Sequence, residues 1–138
     1  MVITPVCLSG LRRPKPCPTA RAVPVISFHG SADPVDPFTG HGQPYWTYSV
    51  TTAAKDWSSQ DHCTSTNHSS PVNGVTLSTY ANCANHAKVE LYEIMGEGHE
   101  WPGGPTLPTS LTLLLGPQSS LVNANSLMCA FFQAHPLG

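Results

Sequence analysis

The sequence has few charged side chains and no long apolar run. Asp, Glu, Lys and Arg make up 10% of its 138 residues, against about 25% in an average globular protein. Its polarity therefore rests on Ser, Thr, Asn, Gln and His, a composition that is common in secreted proteins. The longest apolar stretch, Leu111–Gly116, is far shorter than the roughly 20 residues that a membrane helix needs.

The sequence also has no strong excess of either charge sign and no recognisable export signal. A net charge of −2 provides no basic surface for nucleic acid or for an anionic membrane, so neither is an expected partner. The N-terminal stretch MVITPVCLSG is too short for a signal peptide and carries its charges on the wrong side. An export signal is therefore expected to be missing from this chain.

Paired cysteine motifs and closely spaced histidines are absent as well. The five cysteines include no C-x-x-C pair, which argues against a zinc ribbon or a thioredoxin-like site. The odd number leaves one cysteine free or paired outside the chain. Four histidines are scattered through polar segments without the tight spacing of metal ligands; they are His41, His62, His68 and His86. No metal and no cofactor is expected, although an adventitious site that also uses Asp36 and Glu97 remains an alternative.

The distribution of proline and of periodic segments predicts a short lead-in followed by a single domain. Residues 1–22 are rich in proline and predicted to be irregular, and residues 23–138 carry the periodic segments. Ala22–His29 is β-branched and apolar, which is typical of a strand buried on both faces, as in a parallel sheet. Apolar and aromatic residues recur at helical spacing over Tyr45–Gln60, which predicts an amphipathic helix.

The second half of the chain repeats this alternation of segments. TSTNHSSPVNG, after Cys63, is predicted to be a polar loop, and alternation in GVTLSTYANC predicts a short strand. Ala87–Ile94 alternates in the same way, and ANSLMCAFFQAHPL carries an apolar face at helical spacing. The order of segments predicts an α/β fold with a mostly parallel sheet and flanking helices.

Two titratable residues follow two of these predicted strands. Asp33 lies in FHGSADPVDPF, just after the first strand, and His99 lies in GEGHEWPGG, after the last one. Ligands of open α/β sheets bind at the carboxyl ends of the strands, so we expect both side chains at one edge. Asp36 is the competing acid and fits a turn residue better. His29 ends its strand and is expected to be held by backbone or to line the site.

Three segments resemble a known family of hydrolases. PVISFHGSADPVDP, VELYEIMGEGHEWPGG and ANSLMCAFFQAHPL resemble the secreted polyhydroxybutyrate depolymerase and feruloyl esterase-like group of α/β-hydrolases, over roughly residues 15–138. The resemblance implies that Asp33 is a triad acid and His99 its general base. It also implies that Trp101 helps to shape the histidine loop at the substrate site. It implies a secreted protein that acts on a small-molecule or polymeric ester.

The same resemblance implies a pairing for two of the cysteines. Cys63 and Cys83 match the positions of a disulfide in this group, which closes a loop of roughly 20 residues and indicates an oxidising compartment. Cys17 matches a cysteine whose partner lies upstream in longer relatives. These inferences come from the resemblance alone, because spacing by itself fixes no pairing.

The sequence departs from this group in lacking a nucleophile. No G-x-S-x-G motif occurs, although that motif carries the nucleophilic serine of these enzymes. Ser31 lies in the acid loop, and Ser119 precedes the last helix. An oxyanion-hole segment is absent too, so the chain resembles a C-terminal half of a partial α/β-hydrolase fold. A half sheet would expose an apolar edge, which predicts self-association into a homo-oligomer.

Three functions remain compatible with the sequence. The first is a carboxylic-ester hydrolase-like protein with an acid and a histidine, which is weak or inactive unless another chain supplies a serine. The second is a hydrolase of different mechanism, such as metal-assisted hydrolysis of esters or lactones. The third is a non-catalytic binding module that uses the cleft between the loops of Asp33 and His99. General-base help alone contributes only about 10²–10⁴-fold in rate.

Overall fold

The fold is built around a four-stranded mixed sheet. The computed structural model describes residue 11 and residues 21–136. Its strands are β1 (Val25–Gly30), β2 (Ser65–Val72), β3 (Val75–Ala81) and β4 (Val89–Ile94), and its helices are α1 (Val50–Gln60), α2 (Thr109–Leu115) and α3 (Ala124–Ala134). Most of residues 1–22, with Cys7 and Cys17, lie outside the described residues, as does the prediction of an irregular lead-in.

The sheet order is β1-β4-β3-β2, and only one of its three strand pairs is parallel. β1 pairs with β4 in parallel, whereas β3 pairs antiparallel with both β4 and β2. The prediction of a mostly parallel sheet, as in a partial α/β-hydrolase fold, is therefore wrong. The error has a physical cause: the continuous apolar run of β1 indicates a covered strand, and the alternation in β4 does not tell whether its neighbours run parallel or antiparallel.

Strand β2 corrects a second prediction. The segment after Cys63 was expected to be a polar loop, but most of it forms β2, whose eight residues are all exposed. β2 is an edge strand, and its backbone pairs with β3 without burying its side chains. Two-residue turns of Asn-Gly type favour hairpins, and here Asn73 and Gly74 join the paired residues Val72 and Val75.

Helices cover the two faces of the sheet. On one face, Val50, Ala53, Ala54 and Trp57 of α1 pack with Val25, Val89 and Leu91 in the main core. On the other face, Leu127 of α3 packs with Phe28, Tyr92 and Ile94. The predicted helix over residues 45–60 begins at Val50 instead of Tyr45, because Ser49 caps it by accepting a hydrogen bond from the amide of Thr52.

The predicted disulfide is confirmed. Cys63 and Cys83 form a bond with an S–S length of 2.06 Å and a sequence separation of 20. It joins the two ends of the β2–β3 hairpin, at the edge of the sheet where β4 begins. Among the described residues Cys129 is a free cysteine and is exposed. No helix in the described part of the chain is long and apolar enough to cross a membrane.

Candidate functional site

The loops after β1 and β4 are held together by close backbone contacts. The amide of Ala32 donates to the carbonyl of Glu97 at 2.9 Å, and a Cβ on Gly30 would clash with that same carbonyl oxygen. Glycine at position 30 therefore allows the two loops to approach. The amides of Gly98 and His99 in turn donate to carbonyls of Pro117 and Leu115, which fixes the second loop from behind.

This arrangement brings Asp33 and His99 into contact across 66 residues of sequence. Nδ1–H of His99 donates to Oδ2 of Asp33 at 2.8 Å. The Asp33 side chain is 3% exposed, whereas that of His99 is 43% exposed. Because the carboxylate accepts a hydrogen bond from Nδ1–H, Nε2 of His99 is the unprotonated, basic nitrogen of the neutral ring. Among the described residues Nε2 has no hydrogen-bond partner.

Asp33 is oriented by its own loop. Its second oxygen, Oδ1, accepts hydrogen bonds from the amides of Val35 and Asp36, both at 2.8 Å. Two charge-assisted hydrogen bonds of this kind stabilise the ionised carboxylate and fix its rotamer. The turn that follows Asp33 thus leaves Oδ2 facing His99. Asp36 contributes only its backbone to this geometry.

His29 lies beside Asp33 but makes its shortest hydrogen bond elsewhere. Its Nε2–H donates to the carbonyl of Asp36 at 2.8 Å, and the same nitrogen is 3.5 Å from Oδ2 of Asp33. The ring stacks on Trp46 at a centroid distance of 5.7 Å. Burial lowers the pKa of His29, although the Asp36 carbonyl and the carboxylates of Asp33 and Asp36 oppose this effect. A neutral His29 therefore supports the Asp33 loop.

A cavity of about 460 Å³ opens beside Asp33 and His99. Val23–Gly30 runs along it, and its walls include Trp46, Trp57, Met128 and Phe132. Trp101, the residue that the resemblance places at the substrate site, also lines this cavity. Its side chain packs edge-on to Phe28 at 6.2 Å and donates from Nε1 to Asn125 at 3.1 Å. Volumes of this size are typical of small-molecule sites.

Glu97, which the sequence analysis names only as a possible ligand of an adventitious metal site, lies buried in the loop of His99. The residue is 1% exposed, and neither carboxylate oxygen has a hydrogen-bond partner of good geometry. Burial raises the pKa of Glu97 to about 7; the nearby Ser119 backbone opposes this rise, and Glu100 adds to it. In the sequence, the only indication of a special carboxyl group at this position is that Glu97 lies between two glycines in the loop of His99.

The scattered histidines do not assemble into a metal centre. Within residues 21–136 no group of three or more His, Cys, Asp or Glu side chains is placed to hold a metal ion. His68, for example, lies on β2 and hydrogen-bonds through Nδ1 to Ser78 at 2.9 Å.

Comparison with known proteins gives no independent indication of function. No protein-family model matches the chain, and no curated protein matches it.

Proposed function

We propose that this chain is a carboxylic-ester hydrolase-like protein in which His99 acts as a general base oriented by Asp33. The observation that carries the proposal is the 2.8 Å contact between Nδ1 of His99 and the buried, doubly hydrogen-bonded carboxylate of Asp33. A candidate base needs both an oriented ring and an open nitrogen. His99 meets both requirements, because its remaining nitrogen has no partner among the described residues and the ring lines the cavity.

The proposed reaction uses water as the nucleophile. Nε2 of His99 takes a proton from a water molecule as the water oxygen attacks the carbonyl carbon of an ester. The imidazolium that forms is stabilised by Asp33. The tetrahedral intermediate then expels the alcohol, which receives the proton back from Nε2–H, and the acid product is released. Ester and water are consumed, and acid and alcohol are formed.

The expected activity is weak, because this scheme has no covalent step. General-base catalysis alone contributes about 10²–10⁴-fold, far below the acceleration of efficient enzymes. The acyl class of the substrate, whether polyhydroxyalkanoate, feruloyl or a related ester, is inferred from the family resemblance alone. So does secretion, with which the Cys63–Cys83 disulfide is compatible, since disulfides persist in oxidising compartments.

The test is hydrolysis of p-nitrophenyl acetate and butyrate by the pure protein and two pairs of variants. We expect His99→Ala and Asp33→Asn each to lower the rate at least about 10-fold. Asp33→Asn would turn an amide N–H toward His99 or lose the two loop hydrogen bonds. The matched controls are His68→Ala, which removes an exposed histidine on β2, and Asp36→Asn, which changes the neighbouring acid of the same loop.

Two added reagents distinguish the remaining mechanisms. The rate should survive EDTA, and a serine-directed phosphonate should leave it unchanged, because water is the nucleophile. Loss of rate with EDTA would favour metal-assisted hydrolysis, and covalent labelling by the phosphonate would reveal a serine. If His68→Ala lowers the rate as much as His99→Ala, the hydrolysis comes from surface imidazoles and the proposal is wrong.

A further inference from the structure

Two aromatic rings hold the loop that carries Asp33. Nε2–H of His29, at the end of β1, donates to the carbonyl of Asp36 at 2.8 Å. Nε1–H of Trp46, in the segment before α1, donates to the carbonyl of Pro37 at 2.8 Å. The two acceptors are consecutive carbonyls, so two side chains from outside the loop bind its backbone at adjacent positions.

The two rings also support each other. They stack with a centroid distance of 5.7 Å and an interplanar angle of 14°. The side chain of His29 is 11% exposed, Trp46 is 3% exposed, and Phe38 packs edge-on to the imidazole at 5.8 Å. Because close-packed side chains rest in defined rotamers, the two N–H donors have fixed positions. We refer to His29 and Trp46 together as the ring clamp.

The clamped backbone is the part of the loop that orients the acid. Oδ1 of Asp33 accepts hydrogen bonds from the amides of Val35 and Asp36. The two backbone groups of Asp36 thus have different partners: its amide binds the carboxylate, and its carbonyl binds His29. A displacement of Asp36 therefore changes the direction in which Oδ2 faces His99.

The hydrogen bond to Asp36 also keeps His29 from competing for the carboxylate. Nε2 of His29 is 3.5 Å from Oδ2 of Asp33, whereas Nδ1 of His99 is 2.8 Å from the same oxygen. Burial lowers the pKa of His29 and so favours the neutral ring, whose single N–H is directed to the carbonyl. Oδ2 is thereby left to His99.

From this geometry we infer that His29 and Trp46 are positioning residues for the pair of Asp33 and His99. They act through the two carbonyls that the ring clamp binds, and they keep Oδ2 where it accepts the hydrogen bond from Nδ1–H. A misplacement of about 1 Å at a catalytic group is enough to lower a rate 10²-fold. The inference rests on the proposed function for its effect on rate, whereas the state of the His99 ring reports it without any hydrolysis.

The test replaces each ring of the clamp by a ring that stacks but has no N–H. His29→Phe and Trp46→Phe each remove one donor, and His29→Gln restores a donor because its amide nitrogen reaches the position of Nε2. Trp57→Phe is the matched control. Trp57 is also buried and lines the same cavity, but its Nε1–H donates to the carbonyl of Leu11, outside the loop of the acid. Urea denaturation shows which variants are folded.

The first readout is the tautomer of His99, measured from the ¹⁵N shifts of its ring in alkaline solution. The hydrogen bond to Asp33 selects the Nδ1–H form, so we expect His29→Phe and Trp46→Phe to increase the Nε2–H form. His29→Gln and Trp57→Phe should keep the parent tautomer, although Trp57→Phe should lower stability.

The two variants of the clamp should differ in size of effect. The carbonyl of Pro37 also accepts from the amide of Gly40 at 2.8 Å, so Trp46→Phe should shift the tautomer less than His29→Phe.

The second readout is the split between kcat and KM for p-nitrophenyl butyrate. We expect His29→Phe to lower kcat about 10–100-fold, because it displaces the acid. KM should change less than about twofold, because an aromatic ring still lines the cavity. Trp57→Phe should keep the kcat of the parent.

Three results would overturn the inference. The parent tautomer in a folded His29→Phe variant would mean that Asp33 is positioned without the clamp; if that variant does not fold, Trp46→Phe decides by the same readout. An equal shift in Trp57→Phe would mean that the loss of any buried donor disturbs the site. A His29→Gln variant that behaves like His29→Phe would assign the effect to the ring and not to its N–H.

Failure of the proposed function gives a different result. If the parent hydrolyses no ester but the tautomer shifts as expected in the variants of the clamp, the hydrolysis is wrong and the positioning of the pair stands. If the parent is active through His99 but the tautomer does not respond, the hydrolysis stands and the clamp does not.

Discussion

At the scale of single residues, the two buried carboxyl groups of the site have opposite environments. Asp33 accepts three hydrogen bonds at 2.8 Å, from two amides and from His99. Glu97 lies one loop away with no hydrogen-bond partner of good geometry among the described residues. The first arrangement stabilises a carboxylate, and the second favours the protonated acid. The charge of Glu97 is thus a cost to folding whenever it is ionised.

The pH dependence of stability follows from this contrast. The pKa of Glu97 is raised from 4.5 to about 7, so between these values the folded state binds more protons than the unfolded state. The contribution of Glu97 to stability is therefore largest below pH 4.5 and is lost as pH rises to about 7. His29 acts in the opposite sense: its pKa is lowered by burial, so its contribution falls as pH drops below 6.5.

Replacement of Glu97 by Gln should remove the pH dependence of stability that comes from Glu97 and leave the one that comes from His29. We expect Glu97→Gln to raise the free energy of unfolding by about 1–3 kcal/mol at pH 8, because the amide removes the cost of burying an ionised carboxylate and each unit of pKa shift corresponds to about 1.4 kcal/mol. At pH 5, where the folded Glu97 is protonated, the change should be small. Urea denaturation at the two pH values measures this. Glu93→Gln is the control, since Glu93 is a partly buried acid of β4 that does not contribute to the raised pKa of Glu97. Equal effects of Glu97→Gln at both pH values would contradict the assigned pKa.

At the scale of elements, the position of the site depends on how tightly the ends of β1 and β4 pack. We expect Gly30→Ala to destabilise the fold by about 1–3 kcal/mol, the usual cost of overpacking, because its Cβ would clash with the carbonyl of Glu97. It should also lower the His99-dependent esterase rate, since the clash separates the two loops.

Gly96→Ala is the comparison for this prediction. Gly96 has a φ of 76° but no atom within 4 Å of an added Cβ, so its substitution tests backbone strain without a clash, at about 1–2 kcal/mol. It should leave the esterase rate of the folded protein unchanged. Thermal unfolding and initial rates measure both variants. If Gly30→Ala keeps the wild-type rate, close packing at Gly30 does not position the site.

The elements also differ in how far they could be predicted from sequence. Apolar residues at helical spacing predicted α1 and α3. The apolar run of β1 and the alternation in β4 placed Asp33 and His99 just after two strand ends. Those two strands are parallel neighbours, so the inference that both loops share an edge rested on the one parallel pair in the sheet. The proximity of the two loops could thus be predicted, although the directions of the other strand pairs were predicted wrongly.

Strand β2 shows why the rest could not be predicted. Its side chains are polar and exposed throughout, so no hydrophobic period marks it, and its structure comes from backbone pairing with β3. The Asn73–Gly74 turn was the available signal. Nor could the sequence reveal the cavity beside β1, because its lining includes Trp46 and Phe132, which are far apart in the chain.

At the scale of the whole molecule, the disulfide that stabilises the hairpin and the candidate site lie at opposite ends of the sheet. The Cys63–Cys83 disulfide joins strand ends near the start of β4, whereas Asp33 and His99 follow the ends of β1 and β4. We expect the double variant Cys63→Ser, Cys83→Ser to lower the free energy of unfolding by about 3 kcal/mol, the usual effect of a bridge that closes a loop of this length.

The esterase rate should respond differently from stability. At a temperature where the double variant is still folded, its His99-dependent rate should equal that of the parent, because no contact of Asp33 or His99 involves the hairpin. Cys129→Ser, which removes a free exposed thiol, controls for the loss of sulfur alone and should change neither quantity. Unfolding by urea and initial rates at the same temperature separate the two effects. A large loss of rate in the folded double variant would mean that the hairpin reaches the site through the sheet, since β4 is the strand that connects the two ends.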